Sequence, residues 1–231
     1  GVKIVSGFGL YLEKDFPPEA RNLSQKKLAD YIVRQVEGGE SGIRSGLIGE
    51  IASHNEKHSN WREYRLTQRE DEIFRAVADA QKRTGLSIFT HASMGRAGVA
   101  QVQSLLNAGA NMQRVVVGHC DAQSHQDIEI DLDYYHRLLA EGVMLSFDLF
   151  GWEELMQDEE RCRRIGLLIR EGFLNRILIS TDTCRCSQLH KFGGRGFDYL
   201  FSSIIPGLLQ EGISQMEIRQ MISSNPADIL L

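Results

Sequence analysis

No apolar run in the 231 residues approaches the roughly 20 that a membrane-spanning helix needs, so no spanning helix is expected in them. The N-terminus lacks the basic and hydrophobic regions of a secretory signal. Positive charge is short too. Lys and Arg number 26 against 31 Asp and Glu, and a net charge of −5 leaves no basic footprint for nucleic acid or an anionic membrane. Cysteine is scarce, and Cys120, Cys162, Cys184 and Cys186 form no disulfide-like framework for a chain this long. A reducing compartment follows, and the cytoplasm is the expected location. Cys184-x-Cys186 lacks the second Cys pair or nearby histidine pair that a tetrahedral metal set requires.

What is present has the make-up of an ordinary globular protein, 42% hydrophobic and 25% charged. Residues 1–231 are read as a single domain, since βα barrels of about 200 to 250 residues are single domains. Four stretches share one pattern, a short apolar run stopping at a metal-binding residue type. They are Gly46-Leu-Ile-Gly-Glu50-Ile51, Leu86-Ser-Ile-Phe-Thr-His91, Arg114-Val-Val-Val-Gly-His119-Cys-Asp121 and Arg176-Ile-Leu-Ile-Ser-Thr-Asp182. Such runs read as buried strands carrying chemistry at their C-terminal tips.

In chain order, Val2 to Tyr11 predicts an opening strand, with no leader or capping segment before it, as if something upstream were missing. Ser24 is a cap for a helix from Gln25 to about Glu37. Thr67 with Glu70 three residues on is a capping-box signature for the next helix, which stops near Thr84-Gly85. Further helices are expected through Leu105 and Leu106 to Gly109, over Asp131 to Glu141, and from Asp158 to about Glu171. A fifth strand, Val143 to Asp148, stands between the last two. Closing helices are placed at about Phe197 to Gln210 and Ser214 to Ile222, with Asn225-Pro226 opening a last turn. Intervals of 41, 28, 29 and 34 residues separate Glu50, His91, His119, Asp148 and Asp182. Each accommodates one strand and one crossover.

The expected fold is therefore α/β, a TIM (β/α)8-type barrel of about six βα units, with the candidate ligands on one rim. A glutamate within an apolar strand is costly unless paired or coordinated, and an arginine partner for Glu50 is the alternative to a metal. Carboxylate plus imidazole suits Zn, Mn, Fe or Co rather than Ca. His54 and His58 fall in a polar loop and are expected to be solvated, as are His125, His136 and His190.

On these stretches, together with Val2 to Tyr11, Thr84-Gly85, Ile205-Pro206 and Asn225-Pro226, the chain resembles the phosphotriesterase family of the amidohydrolase superfamily across essentially its whole length. The likeness is nearest to the branch called phosphotriesterase homology protein, in which a glutamate replaces the carboxylated lysine bridging two metals. It implies that Glu50 bridges, that His91 and His119 hold the second metal, and that Asp182 binds the first and manages the proton. The cofactor implied is a pair of divalent cations, zinc foremost. Two departures stand out. The family's His-x-His pair has no counterpart, since this chain starts at what corresponds to the third barrel strand, leaving the first metal only Glu50 and Asp182. Ala122 also stands where some relatives carry a further acid.

The resemblance implies a hydrolase of lactones, carboxylic esters or phosphoesters working through a metal-activated water. Arg185 is a candidate for a substrate phosphate or carboxylate, a surface salt bridge being the alternative, and Tyr11 a candidate pocket residue. Phe150 and Trp152 would wall the pocket or cover the barrel end. The expected partner is a small ester or lactone, with a homo-oligomer as a further expectation. The rival is a non-catalytic barrel fragment acting as a binding or assembly module, its open sheet edges inviting pairing. A metal-free phosphate barrel is a third reading, resting on Gly193-Gly194-x-Gly196.

Overall fold

The computed structural model describes residues 4–39, 42–55, 60–92, 96–122 and 132–230. Six strands run parallel in the order of the chain: β1 (Gly7–Phe8), β2 (Leu47–Ser53), β3 (Ser87–Ala92), β4 (Val115–Gly118), β5 (Met144–Phe147) and β6 (Ile177–Ile179). Between them lie α1 (Gln25–Val36), α2 (Gln68–Thr84), α3 (Gly98–Asn107), α4 (Asp133–Leu139) and α5 (Asp158–Arg170). Three short helices follow, α6 (Ile205–Gln210), α7 (Gln215–Arg219) and α8 (Asn225–Leu230). This is the expected βα architecture, with the sheet open between β1 and β6. Among the described residues no helix is long and apolar enough to cross a membrane.

Strand periodicity sorts the side chains onto two faces. Val115 and Val117 join the main core under the helices, whereas Val116 between them packs with Met144, Leu178 and Ile229 on the opposite face. Extending that inward phase along each strand brings His91, Ser146 and Asp148, and Ser180 and Asp182, to the same mouth. The fold thus sets the site by counting in twos.

β2 breaks the count. Ile48 pairs with Ile88 and Ile51 with Thr90, three residues against two, so β2 carries one extra residue at Gly49–Glu50. Ile48 and Ile51 consequently both face the main core, and Glu50 is released to the rim. Its side chain is 44% exposed, which corrects the expectation of a buried glutamate.

Local signals were followed closely at some ends and not at others. Thr67 and Glu70 form the reciprocal capping box, and Gly85 closes α2 with φ 71°. Ser24 occupies the cap of α1 without a side-chain bond. Among the described residues the opening strand is only Gly7–Phe8, α4 runs from Asp133 to Leu139, and the helix expected from Phe197 begins at Tyr199. From Leu200 the chain passes through π-helical turns at Leu200–Ile204 and Gln220–Ser224, and Asn225-Pro226 opens the last helical turn, α8, as expected, with no gap after the second π-helical turn.

One polar network ties the rim loops to this frame. Arg161, fully buried on α5, donates to Asp121 Oδ2 at 2.8 Å, Asp158 Oδ1 at 3.0 Å, the Trp152 carbonyl at 3.2 Å and the Met156 carbonyl. Asp121 also accepts from the Leu149 N–H, and Tyr199 donates to Asp158. Removing one member of a buried pair strands the other charge. Arg161→Ala should therefore cost about 3–5 kcal/mol in urea unfolding; a loss below about 1 kcal/mol would show that the network is not structural.

Candidate metal centre

At the C-terminal mouth, Glu50 of β2, His91 of β3 and His119 just past β4 face one another. One donor atom from each can be chosen so that all three lie within 4.8 Å of one another. Glu50 Oε2 stands 3.5 Å from His91 Nδ1, and Glu50 Oε1 stands 3.8 Å from His119 Nε2. The strand register produces this, since His91 pairs with Gly118, the neighbour of His119. A Cβ on Gly118 would meet the Thr90 carbonyl at 2.3 Å, so the strands close up there only because the residue is glycine.

The outer partners decide which nitrogen of each ring faces inward. His119 Nδ1–H donates to Asp148 Oδ1 at 2.7 Å, and Asp148 also accepts the His119 backbone N–H at 3.0 Å. That leaves Nε2 toward Glu50. His91 is turned the other way, with Nε2 at 3.1 Å from the Tyr11 hydroxyl and the Tyr11 ring edge-on at 4.8 Å. Its Nδ1 is buried and has no hydrogen-bond partner among the described residues. An orphaned imidazole nitrogen beside a carboxylate oxygen and a second imidazole is a donor set suited to a divalent cation. The residues present therefore fit one.

Asp182 stands differently from these three. It borders the same cavity of about 330 Å³ as Glu50, His119 and Asp148, but lies outside the three-residue cluster. His119 and Asp182 are the two described non-glycine residues with positive φ, at 54° and 42°. Backbone strain of this kind gathers at functional sites.

Electrostatics bind the group together. Burial lowers the His119 pKa, but the hydrogen bond and charge of Asp148, then Glu50 and Asp182, outweigh it and bring the value to about 9. Asp182 is pushed up, by burial above all, with His119 pulling it down and Asp148 and Glu50 adding to the rise. Burial and then Glu50 and Asp182 raise the Tyr11 phenol, which stays neutral.

The sequence profile of the Phosphotriesterase family matches residues 1–230. The chain belongs to that family. It is 33% identical over 229 residues to the Escherichia coli phosphotriesterase homology protein, covering 98% of this chain and 74% of that one. It is 31% identical to the Danio rerio N-acetyltaurine hydrolase, over 98% of this chain and 64% of the relative. Against the crystal structure of the E. coli protein, complexed with phosphate in its active site, the TM-score is 0.88 at 32% identity, covering all of this chain and 75% of that one. Such neighbours support the barrel class, although the sheet here is open.

Other expectations are corrected or fall elsewhere. His136 and His190 are exposed but not companionless, His136 Nε2 lying 2.6 Å from Glu171 and His190 contacting Asp198. His58 and His125 lie outside the described residues. Asp148, a strand end and one of the positions carrying the family resemblance, is not among the expected ligands. Its phase with Met144 and Ser146 was the available signal for a residue reaching the site.

Two measurements follow. Asp148→Asn should weaken cation affinity about 10- to 100-fold in a chelator competition, while unchanged affinity would separate Asp148 from the site. With His119 protonated up to about 9 in the cation-free protein, cation uptake near neutral pH should release a proton, and the release should fade as pH rises through that value. Calorimetry in buffers of different ionisation enthalpy reads this directly; no buffer dependence near neutrality would contradict it.

Proposed function

We propose that this rim is the active site of a metal-dependent hydrolase acting on a carboxylic amide or ester. In this reading Glu50, His91 Nδ1 and His119 Nε2 hold a divalent cation, zinc foremost, and Glu50 with Asp182 shares a second. The observation that carries it is the buried, unpartnered Nδ1 of His91 facing Glu50 and His119. Divalent cations bound there would supply Lewis acidity, bringing the pKa of a coordinated water toward neutrality and polarising the substrate's carbonyl oxygen.

The chain's own residues do the rest. Asp182, its carboxylate made more basic by burial, takes the proton of the attacking water and delivers it to the leaving group. Asp148 keeps His119 in the tautomer that presents Nε2. Tyr11, with its hydroxyl engaged by His91, positions that ring, and its half-exposed side chain fronts the substrate. The relatives named N-acetyltaurine hydrolase favour an amide, and lactones, esters and phosphoesters present the same polarisable oxygen to the site.

Cation content and turnover should be measured together on protein loaded with zinc or manganese, using amide, lactone, ester and phosphoester substrates. Asp182→Asn should lower kcat about 10²- to 10⁴-fold with the cation retained. Glu50→Ala should lose both cation and turnover. Wild-type chain that takes up no cation would overturn the reading in favour of a non-catalytic module.

A further inference from the structure

A second cavity, of about 340 Å³, opens beside the first, between the segment after β5 and the segment after β6. Thr181 and Thr183, the two neighbours of Asp182, line it, so it adjoins the reacting centre. Two arginines, Arg185 and Arg195, are in its wall. Arg185 lies over the Trp152 ring at 5.1 Å, and Arg195 lies over the Tyr199 ring at 4.8 Å.

Both arginines are held in place. The Gln188 side chain accepts the backbone N–H groups of Cys184 and Arg185 at 2.9 and 2.7 Å and donates to the Asp182 carbonyl at 3.3 Å. The Arg185 backbone is thereby fixed in relation to Asp182, and its guanidinium rests on the Trp152 ring. Arg195 rests against Gly151, where a Cβ would fall 2.2 Å from its Nη1. Any side chain at Gly151 would displace the guanidinium.

Charge and hydrogen bonding in the cavity are left unbalanced. Arg185 has no acidic partner within ion-pair range among the described residues. Arg195 meets Glu153 only at 3.4 Å, with both groups exposed, an arrangement easily exchanged for another acceptor. Glu154 is the one acid in the lining. The indole N–H of Trp152 is buried without an acceptor among the described residues. Two positioned guanidinium forks and a spare N–H call for acceptor oxygens carrying negative charge.

We propose that this cavity receives a compact anionic head group, a carboxylate, sulfonate or phosphate, on the substrate whose amide or ester is cleaved at the rim. Arg185 and Arg195 are then specificity-determining residues, and the statement rests on the hydrolase reading for its location beside the scissile bond. A neutral substrate of equal length leaves both guanidinium groups without that partner.

The test uses charge alone. N-acetyl-β-alanine, its sulfonate analogue and its neutral carboxamide are compared as substrates of the cation-loaded wild type and of Arg185→Gln and Arg195→Gln. The wild-type ratio of kcat/KM, anionic over neutral, should fall about 10- to 100-fold in each variant, mostly through KM. A ratio unchanged within twofold overturns the proposal. Binding of propanesulfonate, measured by calorimetry in wild type and the double variant, needs no turnover. Arg-dependent binding without hydrolysis of any substrate would sink the hydrolase reading and leave the anion pocket standing; hydrolysis with no charge preference and no Arg-dependent binding would do the reverse.

Discussion

Glu50, His91 and His119 meet at one mouth, and two of the three offer lone pairs whatever the third does. A carboxylate between two imidazoles is unfavourable in a partly buried place unless a positive charge joins them. The protein has two ways to supply it. A proton on His119, held up to about 9 by Asp148 and the nearby acids, does so when no cation is bound. A divalent cation does so more completely, because it can also take up the lone pair of the buried Nδ1 of His91, which no hydrogen bond among the described residues engages. Proton and cation are thus competitors for one position.

The rest of the structure serves that meeting point. Parallel strands bring their C-terminal tips together, and the two-residue phase on β3, β5 and β6 turns His91, Asp148 and Asp182 inward. β2 needs an extra residue to lift Glu50 to the rim. His119 and Asp182 are held with positive φ, a local cost that the packed sheet on one side and the buried Arg161 network on the other absorb. The same network fixes the segment after β5, so the second cavity and the metal centre share one support.

Much of this was legible from residue order. Apolar runs ending in Glu50, His91, His119 and Asp182 marked strand tips, and the Thr67 to Glu70 spacing marked a helix start that formed as written. These are local signals, in which a residue type and its near neighbours decide the outcome. What escaped depends on pairing between distant segments. The extra residue in β2, and with it the exposure of Glu50, exists only relative to β3. Asp148 acquires a role only when His119 lies beside it, and the partner of His136, Glu171, comes from another element. Asp182 was grouped with the other three, yet it reaches the shared cavity without joining their cluster.

The most direct measurement is a crystal structure of zinc-loaded protein with anomalous scattering recorded at the zinc edge. The account predicts a peak about 2.0–2.2 Å from a Glu50 carboxylate oxygen, from Nδ1 of His91 and from Nε2 of His119. Zinc bound elsewhere, or coordinated by His91 through Nε2 with the Tyr11 contact broken, would contradict it.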